Sequence, residues 1–196
     1  MQTLKIICAV LSTLVSVVAF IPYFRDIFLK KTKPHAYTWL IWAITQGTAV
    51  AGLWYGKGGI GSLGLTVGAS LVFIVFLLSL HYGTRKITRG DTLLLIAALI
   101  AILIWWQLHS ALLAVLMVSV IDAVGYIPSY RKCWEEPWSE TLLSWVLYSV
   151  SNIFAMLALM EYNLLTLTYL VTITILNSAL VVICLIRRKK IAVEIK

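Results

Sequence analysis

The chain has 196 residues, of which 61% are apolar and 12% charged, with a formal charge of +8 and a mean hydropathy of +0.96. An ordinary soluble domain is about half apolar and a quarter charged, so this composition excludes a soluble fold and points to an all-α membrane protein. The surplus of positive charge invites a nucleic-acid reading, which the placement of the charges rules out.

Seven apolar stretches follow one another, each long enough to cross a bilayer core that needs roughly 17–25 helical residues. The first, residues 4–27, begins with Lys5 and resembles a signal peptide. Its Pro22 end nevertheless matches the Pro128 end of an internal segment, so a retained helix is expected. The second, 37–55, carries Thr38, Trp42 and Gln46 at i, i+4 and i+8, on one helical face. The third, 60–82, has Gly61, Gly64 and Gly68, a small-residue stripe suited to close helix packing. The fourth is 92–108. The fifth, 111–131, holds Asp122 well inside the span, six residues before Pro128. The sixth, 140–160, repeats the polar face as Ser144, Tyr148 and Asn152, and the seventh, 164–186, carries Asn177. Together they leave no room for a sizeable extramembrane domain.

Fourteen of the 16 lysines and arginines fall in the connections after spans 1, 3 and 5 and in the C-terminal tail; only Lys5 and Lys57 lie on the other side. Basic loops stay cytoplasmic, which places the N-terminus outside and the C-terminus inside a multi-pass plasma-membrane protein. The minimal loops suit a bacterial inner membrane. Nucleic acid is not an expected partner; membrane lipid is, and a homo-oligomer is compatible with the sequence. Cys8, Cys133 and Cys184 follow no disulfide or metal-ligand pattern. No cofactor is expected, and none of the hydrolase, phosphate-loop or metalloprotease signatures occurs, so an enzyme is not expected either.

Residues 16–55 return without a gap as 122–161. A shift of 106 positions brings Ile21-Pro22 onto Ile127-Pro128, Arg25 onto Arg131, Phe20 onto Tyr126, Thr38 onto Ser144, Trp39 onto Trp145, Trp42 onto Tyr148 and Gln46 onto Asn152. The chain therefore divides into a first unit of three helices (1–86), an unpaired helix (87–109) and a second unit of three helices with a basic tail (110–196). Three crossings end on the opposite face and a fourth returns, so both units enter in the same orientation. The repeats are parallel, in a 3+1+3 order.

A proline near the inner end of the first helix of each unit, three helices per unit and an inverting linker together resemble the SWEET and PQ-loop superfamily of small membrane transporters. Here Tyr23 and Ser129 follow the two prolines, where that family has glutamine. The resemblance implies two triple-helix bundles packed in the order 1-3-2, a route between them, and alternating access. It also implies a substrate contact from Asn177, although span 3 offers only Ser70 at the matching depth.

A solute site built from the matched polar faces would use Trp42, Gln46, Asp122, Tyr148, Asn152 and Asn177. Carboxamides both donate and accept hydrogen bonds, and aromatic neighbours supply an apolar wall. An ionised side chain at mid-depth costs at least ~2.5–3.5 kcal/mol on insertion scales, so Asp122 is expected to face an aqueous route, titrate, contact the solute, or be held by Ser119 or a cytoplasmic cation. Its repeat partner is Ser16, so that role belongs to one half alone. Pro22 and Pro128 interrupt backbone bonding and are expected hinges of an inner gate. Trp39 and Trp145 are expected in an interfacial aromatic belt, and His35, His81 and His109 at the surface. The expected function is movement of a small polar solute (a sugar, amino acid or vitamin-like molecule), possible proton linkage included; a receptor or scaffold of the same architecture is the alternative. Single-cysteine labelling from each face should place residues 1 and 196 on opposite sides, and labelling of both from one side would refute the seven-crossing topology.

Overall fold

A computed structural model describes residues 2–32, 34–83 and 89–190, apart from the side chains of Asp91, Pro128, Lys132 and Ser139. The basic residues Lys33, Arg85, Lys86 and Lys196 lie outside the described residues. Among the described residues the fold is all-helical, with seven α-helices: α1 Gln2–Phe28, α2 Ala36–Tyr55, α3 Leu63–Tyr82, α4 Arg89–Leu108, α5 Ala111–Glu135, α6 Leu142–Ala158 and α7 Leu164–Lys190. Short 3₁₀ turns at Gly59–Ser62 and Pro137–Ser139 precede α3 and α6.

Among the described residues four helical segments are long and apolar enough to cross a membrane: Gln2–Phe28, Gly59–Tyr82, Ala111–Glu135 and Leu164–Lys190. Two shorter apolar helices, Thr92–Leu108 and Leu142–Ala158, accompany them. α2 matches α3 in length but carries Thr38, Thr45, Gln46 and Thr48 among its apolar residues. Leu, Ile and Val side chains of α1, α4 and α7 stand exposed along their outer faces, as a lipid-facing surface requires. α1 is helical through Pro22, and α5 is helical through position 128, whose proline ring lies outside the described residues.

The packing order follows from where small residues allow close approach. α3 lies between α1 and α2, and α7 between α5 and α6; the backbones of α1 and α2 stay apart, as do those of α5 and α6. α1 runs along α6 and α2 along α5, closing a ring, with α4 outside against α2 and α5. A Cβ on Gly64 would overlap the Ser12 hydroxyl, and one on Gly61 would overlap the backbone of Leu159. Ser12 Oγ donates to the Ser151 carbonyl and Ser151 Oγ to the Ser12 carbonyl, both at 2.9 Å. This reciprocal pair, where two small side chains let backbones approach, fastens α1 to α6.

Two ends of the ring can be distinguished. At the basic end, Thr141 donates to Asp26 at 3.2 Å, and Arg188 donates to the carbonyls of Pro137 and Glu140 at 3.0 and 2.9 Å. Arg187 donates to the Trp134 carbonyl at 2.7 Å and lies over its ring. At the far end, Lys5 Nζ donates to the Leu159 carbonyl at 2.7 Å and Met160 N to the Gly58 carbonyl at 3.0 Å. Asn163 Nδ2 reaches the Gly56 carbonyl at 3.0 Å. Gly59 makes this turn at a φ of 60°, where an L side chain is strained.

Gly64→Val should lower the thermal unfolding midpoint in detergent by an amount corresponding to about 1–3 kcal/mol, the cost of overpacking a tight contact. Gly47→Ala, where the added Cβ meets nothing within 4 Å, should be neutral or slightly stabilising. Equal effects of the two would remove the close α1–α3 approach from the account.

Candidate solute cavity

Between the helices lies a cavity of about 800 Å³ that opens at the basic end. Its mouth is formed by Lys30, Lys31, Thr32, Pro34 and His35 from the α1–α2 connection and by Glu140 and Thr141 before α6. Its floor is reached at Gln46, Gly64, Ser151 and Asn152. Beyond that level Ala49, Leu53, Val115 and Leu159 are completely buried and close the far half. A Cβ on Gly52 would strike Val115, so α2 and α5 meet there with no space between them.

All six residues expected to form a solute site, Trp42, Gln46, Asp122, Tyr148, Asn152 and Asn177, line this one cavity. Helical phase explains the convergence. Trp42 and Gln46 are one turn apart on α2, as Tyr148 and Asn152 are on α6, and both faces point between the two halves. Ser16, the repeat partner of Asp122, lines it too.

Seven aromatic rings encircle the cavity, and their neighbours in sequence order did not reveal this. Centroid separations run Tyr23–Trp39 5.1 Å, Trp39–Trp42 5.2 Å, Trp42–Tyr126 5.9 Å, Tyr126–Trp145 5.9 Å, Trp145–Tyr148 5.9 Å and Tyr148–Phe20 5.0 Å. Phe20 and Tyr23 share a face of α1 and complete the collar. Tilted and edge-on ring pairs at these separations are favourable. The collar is built from repeat partners: Phe20 meets Tyr148 as Tyr126 meets Trp42, and Trp39 meets Trp42 as Trp145 meets Tyr148. Trp39 and Trp145 thus face inward, not toward an interfacial belt, because an i, i+3 spacing puts Trp39 on the same side of α2 as Trp42, and Trp145 likewise beside Tyr148.

Asp122 is 1% exposed and lies one helical turn farther from the mouth than Tyr126. Tyr169 Oη donates to its Oδ2, while Oδ1 is buried without a hydrogen-bond partner. Ser119, a plausible partner by spacing, donates instead to the Val115 carbonyl at 2.7 Å. Among the described residues no cation pairs with Asp122; the one salt bridge joins Arg25 and Asp26. The adjacent tyrosine is also committed: Tyr126 Oη donates to Asn177 Oδ1 at 2.6 Å. Ser144 Oγ and Tyr148 Oη, one turn apart on α6 and lining the cavity, are likewise buried without partners.

Two further positions differ from their sequence reading. Ser70 donates to the Thr66 carbonyl at 2.9 Å on an exposed face and takes no part in the cavity. His35 caps α2, accepting from Thr38 N, and lines the mouth instead of standing apart on the surface. Glu140 also lines the mouth, accepting from Trp145 Nε1 at 3.2 Å. Tyr169 carried no sequence signal as a partner of Asp122, since 47 residues separate the two.

Neither protein-family models, nor curated proteins, nor solved structures gave a match to this chain. The fold and cavity therefore define the class by themselves: a helical membrane-type protein with four helices long and apolar enough to span a bilayer and an aromatic-lined polar cavity between its helices.

Tyr169→Phe deletes the hydroxyl that donates to Asp122 Oδ2. Its thermal stability should fall by about 1–3 kcal/mol, the usual cost of an unsatisfied buried acceptor. Tyr130→Phe, which removes a bond to the Leu176 carbonyl at the half-buried edge, should cost less. The two unfolding midpoints measured side by side provide the check.

Proposed function

We propose that this protein is a SWEET-like membrane transporter that moves a small polar solute by alternating access, with a proton-linked step at Asp122. In this reading α1–α3 and α5–α7 are two parallel triple-helix bundles joined by α4, in the 3+1+3 order expected for residues 1–86, 87–109 and 110–196. The placement of α3 between α1 and α2, and of α7 between α5 and α6, supports it. So does the meeting of Asp26 on α1 with Thr141 at the basic end, since α1 and α5 then run the same way. The conformation corresponds to a state open toward the cytoplasm of a bacterial plasma membrane, with the N-terminus outside.

One observation carries the proposal: the cavity is lined by matched positions of both repeats, open at one end and plugged at the other. A carrier needs a site reachable from one side at a time, at the seam between its repeats. Ala49, Leu53, Val115 and Leu159 form the closed gate. Pro22 and Pro128, each lacking a backbone N–H for the preceding turn, are the hinges on which the mouth would close. Asp122, buried and without an ion pair, has to be neutralised before the site can be occluded, because an isolated buried charge is costly. A proton is one such neutraliser, which links solute movement to the proton gradient.

Counterflow into liposomes with radiolabelled sugars, amino acids, amines and vitamins tests the reading. Exchange of at least one of them is expected, and Asp122→Asn should abolish pH-driven accumulation while leaving the protein folded, because a carboxamide cannot titrate. Stabilisation of the protein by a member of this panel without any exchange would favour a receptor. Unchanged pH-driven accumulation in Asp122→Asn would remove that residue from the coupling.

A further inference from the structure

A small polar solute is a broad class, and the cavity has a more definite chemistry. We infer that it takes an organic ammonium ion, a protonated amine on an apolar or aromatic body, with its N–H groups on the free oxygen of Asp122 and its body against the aromatic collar. The binding half of this inference stands on the cavity alone; the carrying of the ion rests on the transport reading.

The unmet oxygen comes first. Asp122 is 1% exposed, its Oδ2 is satisfied by Tyr169, and its Oδ1 has no donor although the residue lines the cavity. Every element packed around it withholds a cation. On α2, the Thr45 hydroxyl donates to the Trp42 carbonyl at 3.2 Å and also lies beside the Asp122 carboxylate, but it is neutral, and Gln46 is an uncharged amide. On α5, Ser119 and Tyr126 spend their hydroxyls elsewhere. On α7, Asn177 Oδ1 accepts from Tyr126. The described cations that line the cavity, Lys30 and Lys31, are exposed at the mouth, where solvent screens them. Among the described residues that line the cavity below the collar there is thus an acid and no cation.

The collar strengthens the same preference. An aromatic face carries the negative lobe of the ring quadrupole and attracts a cation, most of all where water is excluded. A solute descending from the mouth passes these rings and reaches, one helical turn farther in, the Asp122 oxygen that has no hydrogen-bond partner. A protonated amine satisfies both: its charge compensates Asp122, its N–H groups supply the missing donor, and its carbon skeleton rests on the rings. A sugar would stack and hydrogen-bond but leave an ionised Asp122 uncompensated. A zwitterionic amino acid would bring a carboxylate into a region that offers it no cation. The proton assigned to Asp122 in the transport cycle and the ammonium ion would then compete for one carboxylate. Binding of either displaces the other, and the charge balances.

The test uses the purified full-length protein and phenethylammonium chloride, compared with 2-phenylethanol, glucose and phenylalanine by tryptophan fluorescence and calorimetry. Phenethylammonium should bind saturably and at least about tenfold more tightly than the three others, a difference of about 1.4 kcal/mol. Asp122→Asn should erase that preference, and Trp42→Leu should weaken the binding while keeping it. The wild-type comparison of ammonium with alcohol needs no variant, so a misfolded Asp122→Asn leaves the inference fully exposed to refutation. Equal or tighter binding of 2-phenylethanol, glucose or phenylalanine would overturn it, as would unchanged ammonium affinity in a folded Asp122→Asn protein. Phenethylammonium that binds but is not exchanged in counterflow rejects the transport reading and upholds the binding inference. Exchange of neutral solutes without ammonium binding rejects the inference and leaves transport standing.

Discussion

A polar group carried into an apolar layer must find its partner inside the protein, because hydrocarbon offers none. This constraint organises the whole molecule. The backbone meets it by being helical nearly throughout, and the helix ends meet it with bonds between neighbouring connections, such as Met160 N to Gly58 O and Arg188 to Glu140 O. Side chains meet it by turning inward. Ser12 and Ser151 satisfy one another's backbones, and Thr48, Thr66 and Thr174 return their hydroxyls to carbonyls of their own helices. Facing the cavity, Asp122 Oδ1, Ser144 Oγ and Tyr148 Oη are left without a protein partner.

The repeat gives this cavity an approximate two-fold character and then breaks it. The collar follows the repeat closely, since ring contacts made by Phe20 with Tyr148 are made again by Tyr126 with Trp42. Chemistry does not follow it. Asp122 stands opposite Ser16, and Tyr23, which meets Trp39, corresponds to Ser129. Two similar halves provide a symmetric aromatic passage with a single acidic position to one side of it. In the carrier proposed above, equivalent halves would rearrange against each other while one half alone holds the buried carboxylate.

Close packing of small residues makes the arrangement specific. Gly64 admits the Ser12 side chain, Gly61 admits the backbone of Leu159, and Gly52 admits Val115. These approaches bring α1, α3 and α6 together on one side and α2 against α5 on the other. They close the far half and leave the basic half apart, where the bulky aromatic residues of the collar hold the helices away from one another. The position of the cavity is therefore a packing consequence: glycine and serine at one level, tryptophan and tyrosine at the other.

Much of this was legible in the sequence, because a membrane protein writes its local structure in composition. Apolar length alone gives the helices to within a few residues, the shift of 106 positions gives the repeat, and the i, i+4 phase of Trp42 with Gln46 and of Tyr148 with Asn152 gives the polar faces that line the cavity. Asp122 was conspicuous because a carboxylate inside an apolar span is rare. What sequence could not supply is which residue from a distant helix arrives beside which. Tyr169 reaches Asp122 across 47 positions and Tyr126 reaches Asn177 across 51, and neither pairing leaves a mark in local spacing. The same holds for Trp39 and Trp145, whose place near a helix end fits a lipid interface and a cavity wall equally well. Only the packing of α1, α2, α5 and α6 around one space decided that they face inward, since a side chain's surroundings depend on which helix lies opposite, and that is set by tertiary contact.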